Sequence, residues 1–412
     1  MRSRLRPPPS APAAALLAAL GMRRTLTRRT LVRGAATSGG LLLAGGAFAA
    51  CGTPAAQQTE ESCVSEDLSD SEQVINFSNW PQYIDVDADD ESRRPTLEAF
   101  QQASGIEVTY TEDINDNNEF FGKVQNQLSA CQPTGRDIMV LTDWLAARMI
   151  RLGWVQQLDK ANLPNVTANL LPSLKARPFD PDDSYAVPWQ SGLTGIAYNG
   201  SVTGEVRTID ELLTRADLKG RVTALTEMRD TMGLLLQSNG HDPAEFTDAQ
   251  FDDALEKLRQ AVADGQIRRF TGNDYAADLA RGDVAACIGW SGDVIQLAAE
   301  DPNIVFQAPE SGLILFSDNM QVPNQAAHKT NAEKLMDHYY DPAVAAEVAA
   351  YVNFICPVAG AQEAMAAIDP ELAANPLIFP DEALLARSAV FMALTEEQER
   401  TYEQKFQQVI GA

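Results

Sequence analysis

From Gln73 onward, short apolar runs alternate with stretches in which apolar residues recur every three or four positions. Val74-Ile75-Asn76-Phe77 predicts a first strand, and Pro95 to Ala103 a helix stopped by Gly105. Alternation over Ile106–Tyr110 predicts a second strand, and the spacing over Asn118–Ala130 an amphipathic helix. The apolar run in Asp137-Ile138-Met139-Val140-Leu141 reads as a buried strand, followed by a helix over Trp144–Leu152 with Gly153 as its stop. Tyr185–Asn199 is rich in Gly and Trp with a strand-like tail at Gly195–Tyr198, and reads as a crossing into a second lobe. There the rhythm resumes, with a strand over Arg221–Leu225, helices over Thr231–Ser238 and Asp248–Asp264, and a strand over Ala285–Trp290. Another crossing is expected near Ile304–Ser317, then helix over Asn331–Tyr351 restarted at Pro342, and a polar helix over Glu397–Val409.

Strands alternating with helices argue for mainly parallel sheets covered on both faces. The chain has 412 residues, more than one ordinary domain needs, and 45 % hydrophobic residues, enough for two cores. The expectation is two α/β lobes sharing a cleft. Residues 73–188 with 313–355 would form one, and 189–312 with 356–412 the other.

The amino terminus has a different texture. Thr27-Arg28-Arg29-Thr30-Leu31-Val32 is a twin-arginine pattern, followed by an apolar, glycine-rich stretch from Gly39 to Ala50. Phe48-Ala49-Ala50-Cys51 then sets a cysteine after small residues, as in the lipobox of bacterial lipoproteins, with Phe48 where Leu is usual. Residues 1–50 therefore read as a twin-arginine export signal with Cys51 as the lipidation site, too short to span a bilayer. Residues 51–72, rich in Ser, Gln and Glu, read as a flexible tether.

The formal net charge is −25, and eight of the 32 basic residues fall in the first fifty positions, which hold no acid. The remainder carries 24 basic against 57 acidic side chains. That field repels nucleic acid and anionic membrane and concentrates cations. Export would place Cys63, Cys131, Cys287 and Cys356 in an oxidising space, where an even count favours two disulfides. Order along the chain pairs Cys63 with Cys131 and Cys287 with Cys356. Neither the cysteines nor the three scattered histidines have metal spacing, and no metal or cofactor is expected.

Enzyme motifs do not assemble. Gly289-Trp290-Ser291-Gly292-Asp293 approaches a nucleophile elbow, but its second glycine is displaced and Asp293 fills the place. No phosphate loop, H-E-x-x-H helix or dinucleotide fingerprint is present. Instead, aromatic, acidic and hydroxyl residues recur beyond the carboxyl ends of the predicted strands, where open α/β sheets place ligands. They are Trp80 and Tyr83; Thr142, Asp143 and Trp144; Trp189; Glu227 and Asp230; Trp290; and Phe316 and Asp318. Aromatic faces attract alkylammonium groups and carboxylates bind them through charge-assisted hydrogen bonds, so the set suits a methylene chain with separated ammonium ends.

Five short motifs carry a family resemblance. They are Asn79-Trp80-Pro81-Gln82-Tyr83-Ile84; Asp137–Thr142; Pro178-Phe179-Asp180-Pro181 with Tyr185-Ala186-Val187-Pro188-Trp189; Leu225-Thr226-Glu227-Met228-Arg229-Asp230; and Arg281-Gly282-Asp283 through Trp290. Residues 73–410 resemble the bacterial spermidine/putrescine-binding proteins, the solute-binding components of polyamine ABC importers. The resemblance implies a two-lobed, type II periplasmic-binding-protein fold that closes on a ligand in the interlobe cleft. It implies aromatic clamps at Trp80, Tyr83, Trp144, Trp290, Phe316 and Phe354, ammonium-binding carboxylates at Asp230, Asp318 and Glu227, and a hydroxyl at Thr142. Gln82 stands where a Glu contacts an amine in well-known members, and Phe316 and Phe354 where Trp and Tyr are usual. The implied partners are a polyamine and the importer's membrane subunits, with the membrane reached only through a lipid anchor. A monomer without cofactor is expected. Another amine, an amino acid, an oligopeptide, or an enzyme reusing the fold stay open as alternatives.

Overall fold

The computed structural model describes residues 63–411. Ten strands occur among them: β1 (Val74–Asn79), β2 (Glu107–Glu112), β3 (Ile138–Thr142), β4 (Val187–Asn199), β5 (Val222–Leu225), β6 (Ile267–Thr271), β7 (Ala286–Trp290), β8 (Ile304–Gln307), β9 (Leu313–Gln321) and β10 (Ser388–Ala389). They run in the order β2-β1-β3-β9-β4-β7-β5-β6, with β8 on β4 and β10 on β9. At one end β1 pairs in parallel with β2 and β3, and at the other β5 pairs in parallel with β6 and β7. The two long strands β4 and β9 lie antiparallel between these groups. Each parallel group is wrapped by helices, giving the two-lobed α/β architecture.

The local reasons are plain in the sequence. Ile138, Met139, Val140 and Leu141 of β3 are wholly buried because helices cover both sheet faces. Helix Pro95–Ser104 buries Leu97 and Phe100 on one side and ends where Gly105 turns left-handed at φ 74°. Helix Asn117–Ser129 starts where the Asp116 side chain accepts the Glu119 amide at 2.8 Å.

Three expectations need correction. The second crossing is not Ile304–Ser317: that span splits into β8, which ends at Gln307, and β9, which crosses from Leu313 to Gln321. Gly312, at φ 123°, makes the turn that starts β9.

Residues 63–72 are not tether. Cys63 is bonded to Cys131, the Leu68 amide donates to the Ala327 carbonyl at 2.7 Å, and Asp67 accepts from the Thr330 hydroxyl at 2.6 Å. His328 bridges Glu72 and Asp137, fastening the same segment from its other end. Residues 51–62 of the expected tether, the export signal and Cys51 lie outside the described residues.

The expected Cys287–Cys356 bond is absent, and both thiols are free and buried. Cys287 on β7 stands across from Ala197 of β4, whereas Ile355, beside Cys356, bridges Ser191 of the same strand. Six residues of strand separate the two levels, about 20 Å at the usual rise. A disulfide needs α-carbons within about 7 Å.

Among the described residues no helix is long and apolar enough to cross a membrane.

Candidate functional site

Where the parallel groups meet the crossing strands, a cavity encloses about 400 Å³ of empty space, part of it open to solvent. Sheet register builds one wall. Thr142 at the end of β3 is the cross-strand partner of Asp318 on β9, and its hydroxyl donates to that carboxylate at 2.6 Å. Tyr83, beyond β1, donates to the other oxygen of Asp318 at 2.8 Å. On the opposite wall, Asp230 lies in the first turn of helix Met228–Ser238, which follows β5. It accepts hydrogen bonds from the Thr194 hydroxyl of β4 and, at 3.4 Å, from the indole nitrogen of Trp290.

The aromatic residues form a chain along the cavity. Trp80 meets Trp290 edge-on with ring centres 6.1 Å apart, Trp290 meets Phe316 at 6.2 Å, and Phe316 meets Phe354 at 6.4 Å. Tyr83 closes the series on Phe354 at 4.8 Å. Both phenylalanines rest on bare backbone: a Cβ at Gly192 would collide with the Phe316 ring, and one at Gly292 with the Phe354 ring.

Four carboxyl groups line this space: Glu227, Asp230, Asp293 and Asp318. Burial raises Asp230 to about 6, and Asp293 and Asp318 to about 7. Burial also pushes Glu227 well above the usual carboxylate range, with Asp116 and Asp230 adding repulsion. Removing a carboxylate from water disfavours its charge, and the hydrogen bonds present offset only part of that cost. None of the four is ion-paired with a Lys, Arg or His among the described residues. Among the described residues no Lys, Arg or His lines the site.

Nine expected residues are brought to the cavity: Trp80, Tyr83, Thr142, Glu227, Asp230, Trp290, Phe316, Asp318 and Phe354. Four expected residues are not. Gln82 is exposed and outside the cavity lining, with a left-handed backbone at φ 54°. Asp143 pairs with Arg177 at 3.3 Å and accepts from Asn319. Trp189 sits behind the wall, donating its indole N–H to the Tyr83 carbonyl at 3.1 Å. Trp144 faces the guanidinium groups of Arg229 and Arg148, at 4.2 and 4.9 Å from its ring centre.

Sequence reasoning missed Pro81, Asn117, Asn273 and Asp293 as lining residues. Asn117 bonds both Glu227, at 2.7 Å, and Thr142, at 2.9 Å, and so links the walls. Asp293 is held by Asn273 and Tyr275, each at 2.8 Å. Its position in the first turn after β7 matches that of Asp230 after β5, a signal the sequence did carry.

The model of the bacterial extracellular solute-binding protein family matches residues 96–380, well over half the chain. This chain belongs to that family. The putrescine-binding periplasmic protein PotF of Escherichia coli is 30 % identical over 345 residues, covering 78 % of this chain and 86 % of PotF. The spermidine/putrescine-binding periplasmic protein of the same organism is 25 % identical over 314 residues, covering 76 % and 85 %. Among solved structures, a putative spermidine/putrescine ABC transporter from Listeria monocytogenes superposes with a TM-score of 0.70 at 25 % identity, covering 82 % of this chain and 98 % of that one. The protein is an extracellular solute-binding protein with the two-lobed fold of the periplasmic binding proteins.

Proposed function

We propose that this solute-binding protein captures a small polyamine in the cavity between its lobes and presents it to the membrane subunits of an ABC importer. The observation that carries this reading is the set of four buried, unpaired carboxyl groups facing a chain of aromatic rings. An unpaired buried carboxylate is costly unless a cation joins it. Separated ammonium groups on a methylene chain supply charge at the acids and apolar length along the rings. An amino acid fits less well, because no Arg or Lys lines the cavity among the described residues to receive its α-carboxylate.

Contacts between the two walls support capture by lobe closure. Besides the Asn117–Glu227 pair, the Thr226 hydroxyl donates to Asp116 at 2.6 Å and the Asn273 amide to the Asn115 carbonyl at 3.2 Å. Isothermal titration calorimetry with putrescine, spermidine and arginine tests the reading. Saturable binding of either polyamine and none of arginine is expected, and failure of both polyamines to bind would overturn it.

The export and lipid signals at residues 27–51 support an anchored, extracytoplasmic protein. A single acyl chain holds a protein only marginally, so the multiply acylated cysteine of a lipoprotein would be required. Cys51→Ser should then move the chain out of the membrane fraction or leave it uncleaved. Unchanged fractionation of a chain that is still cleaved would refute the anchor.

A further inference from the structure

Trp144 follows β3, in the lobe built on the first parallel group, yet its ring is covered by a cation from the other lobe. Arg229, in the first turn of helix Met228–Ser238 after β5, places its guanidinium 4.2 Å from the ring centre. The C-terminal helix Glu396–Ile410 belongs to the lobe of Arg229. Its Tyr402 stacks on Phe251 of helix Asp248–Ala263 with ring centres 4.1 Å apart, and its Phe406 meets Phe270 of β6. From this helix Glu399 and Glu403 each reach one terminal nitrogen of Arg229 at 3.0 Å. Glu399 also reaches across to the first lobe, taking Arg148 at 3.1 Å and Arg151 at 2.8 Å from helix Asp143–Arg151. Burial works against the charge on Glu399, and the guanidinium groups of Arg148 and Arg229 outweigh it, holding its carboxyl below the usual range.

Resting on the reading of capture by lobe closure, we propose that Glu399 is a positioning residue for that capture: with Arg148, Arg151, Arg229 and Trp144 it forms a latch between the lobes. None of the five lines the cavity. When the lobes part, Glu399 keeps only Arg229, the partner from its own lobe, and Trp144 loses its cation. Arg148 and Arg151 are left as like charges three residues apart on one helix, which repel. These losses fall on opening alone, so they favour the closed form by the same amount whatever the cavity holds. Apparent affinity follows the population of the form that binds. The latch therefore sets how tightly every ligand is held and leaves the choice among ligands to the cavity.

The test measures putrescine and spermidine binding by calorimetry, and their release by stopped-flow tryptophan fluorescence. It uses the unsubstituted chain, Glu399→Gln, Arg151→Ala and the double variant. Glu399→Gln removes the charge at nearly constant size and should weaken both ligands by one common factor of about five or more, carried by faster release. Arg151→Ala should weaken both by a common factor of about two. Its side chain is 42 % exposed, so this variant covers the case in which Glu399→Gln does not fold. The double variant should lose no more than Glu399→Gln alone, because both changes break the same contact. Unchanged affinities in folded variants, a loss confined to one of two amines that both bind, or losses that add would overturn the latch and leave amine capture standing. Binding of neither amine by the unsubstituted chain would instead overturn the proposed function, and this inference with it.

Discussion

Asp230 and Asp318 face each other across the cavity, each already holding hydroxyl or indole donors and each still short of positive charge. A bound ammonium would complete them. Asp230→Asn or Asp318→Asn should therefore weaken amine binding by about 1.5–3 kcal/mol, the worth of a hydrogen bond to a charged group. Titration calorimetry on each variant decides it, and affinity equal to that of the unsubstituted chain would exclude the carboxylate from ligand contact. Asp230 was legible because it lies beyond a strand that the apolar pattern located, whereas Asp318, expected just after the second crossing, lies inside β9. Asp293 was not singled out because Gly289–Asp293 was weighed as a failed nucleophile elbow rather than as a strand entering a helix. Asn117 and Asn273 are polar loop residues at helix starts, and nothing in their local sequence separates them from ordinary caps. Trp144 shows the converse. Its position along the chain fits a clamp, but its partners Arg148, Arg229, Glu399 and Glu403 come from three helices, a convergence that only the fold reveals.

Strands β1, β3, β5 and β7 and most long helices fall within a residue or two of the periodicity, because each buries a face set by its own side chains. The crossing strands were harder. β4 is thirteen residues with all but one buried, so it has no alternation to read, and only its tail looked strand-like. β6 and the helix Tyr275–Arg281 were also missed: β6 exposes Arg268 and Arg269 side by side, which breaks both templates. The loop between them carries a closure contact. A Cβ at Gly272 would collide with the backbone carbonyl oxygen of Asn115, on the wall that also supplies Asn117. Backbone cannot yield as a side-chain end can, so Gly272→Ala should hold the walls apart. The expected result is amine affinity reduced by about tenfold or more with little change in the melting temperature of the ligand-free protein, since one closure contact is worth about 1–2 kcal/mol. Unimpaired binding by this variant would show that the loops do not meet when ligand is held.

At the scale of the whole molecule, the acids that suit the cavity for cations work against the folded state when no ligand is bound. Asp230 is raised to about 6, and Asp293 and Asp318 to about 7, from an unfolded value near 4. Folded protein therefore holds more protons than unfolded protein between those limits. Stability falls with pH wherever the native state binds the extra protons. The contribution of these groups is fully present below about pH 4 and is lost as pH rises through about 6–7. A bound polycation reverses the sign locally: it favours the ionised acids, lowers their pKa values and displaces their protons. Ligand should thus bind more tightly at pH 8 than at pH 5, and the rise in melting temperature on adding putrescine should be larger at pH 8. Asp318→Asn removes one such group without changing its size. It should raise the ligand-free melting temperature at pH 8 relative to the unsubstituted chain, by an amount that vanishes toward pH 4, while reducing the ligand-induced rise. Differential scanning calorimetry across pH 4–8, with and without putrescine, measures all of these together. A ligand-induced rise that is the same at pH 5 and pH 8 would mean that the bound cation does not face these acids. Stability gained with function lost in one substitution is the mark of a site whose charge is set for its ligand rather than for the fold.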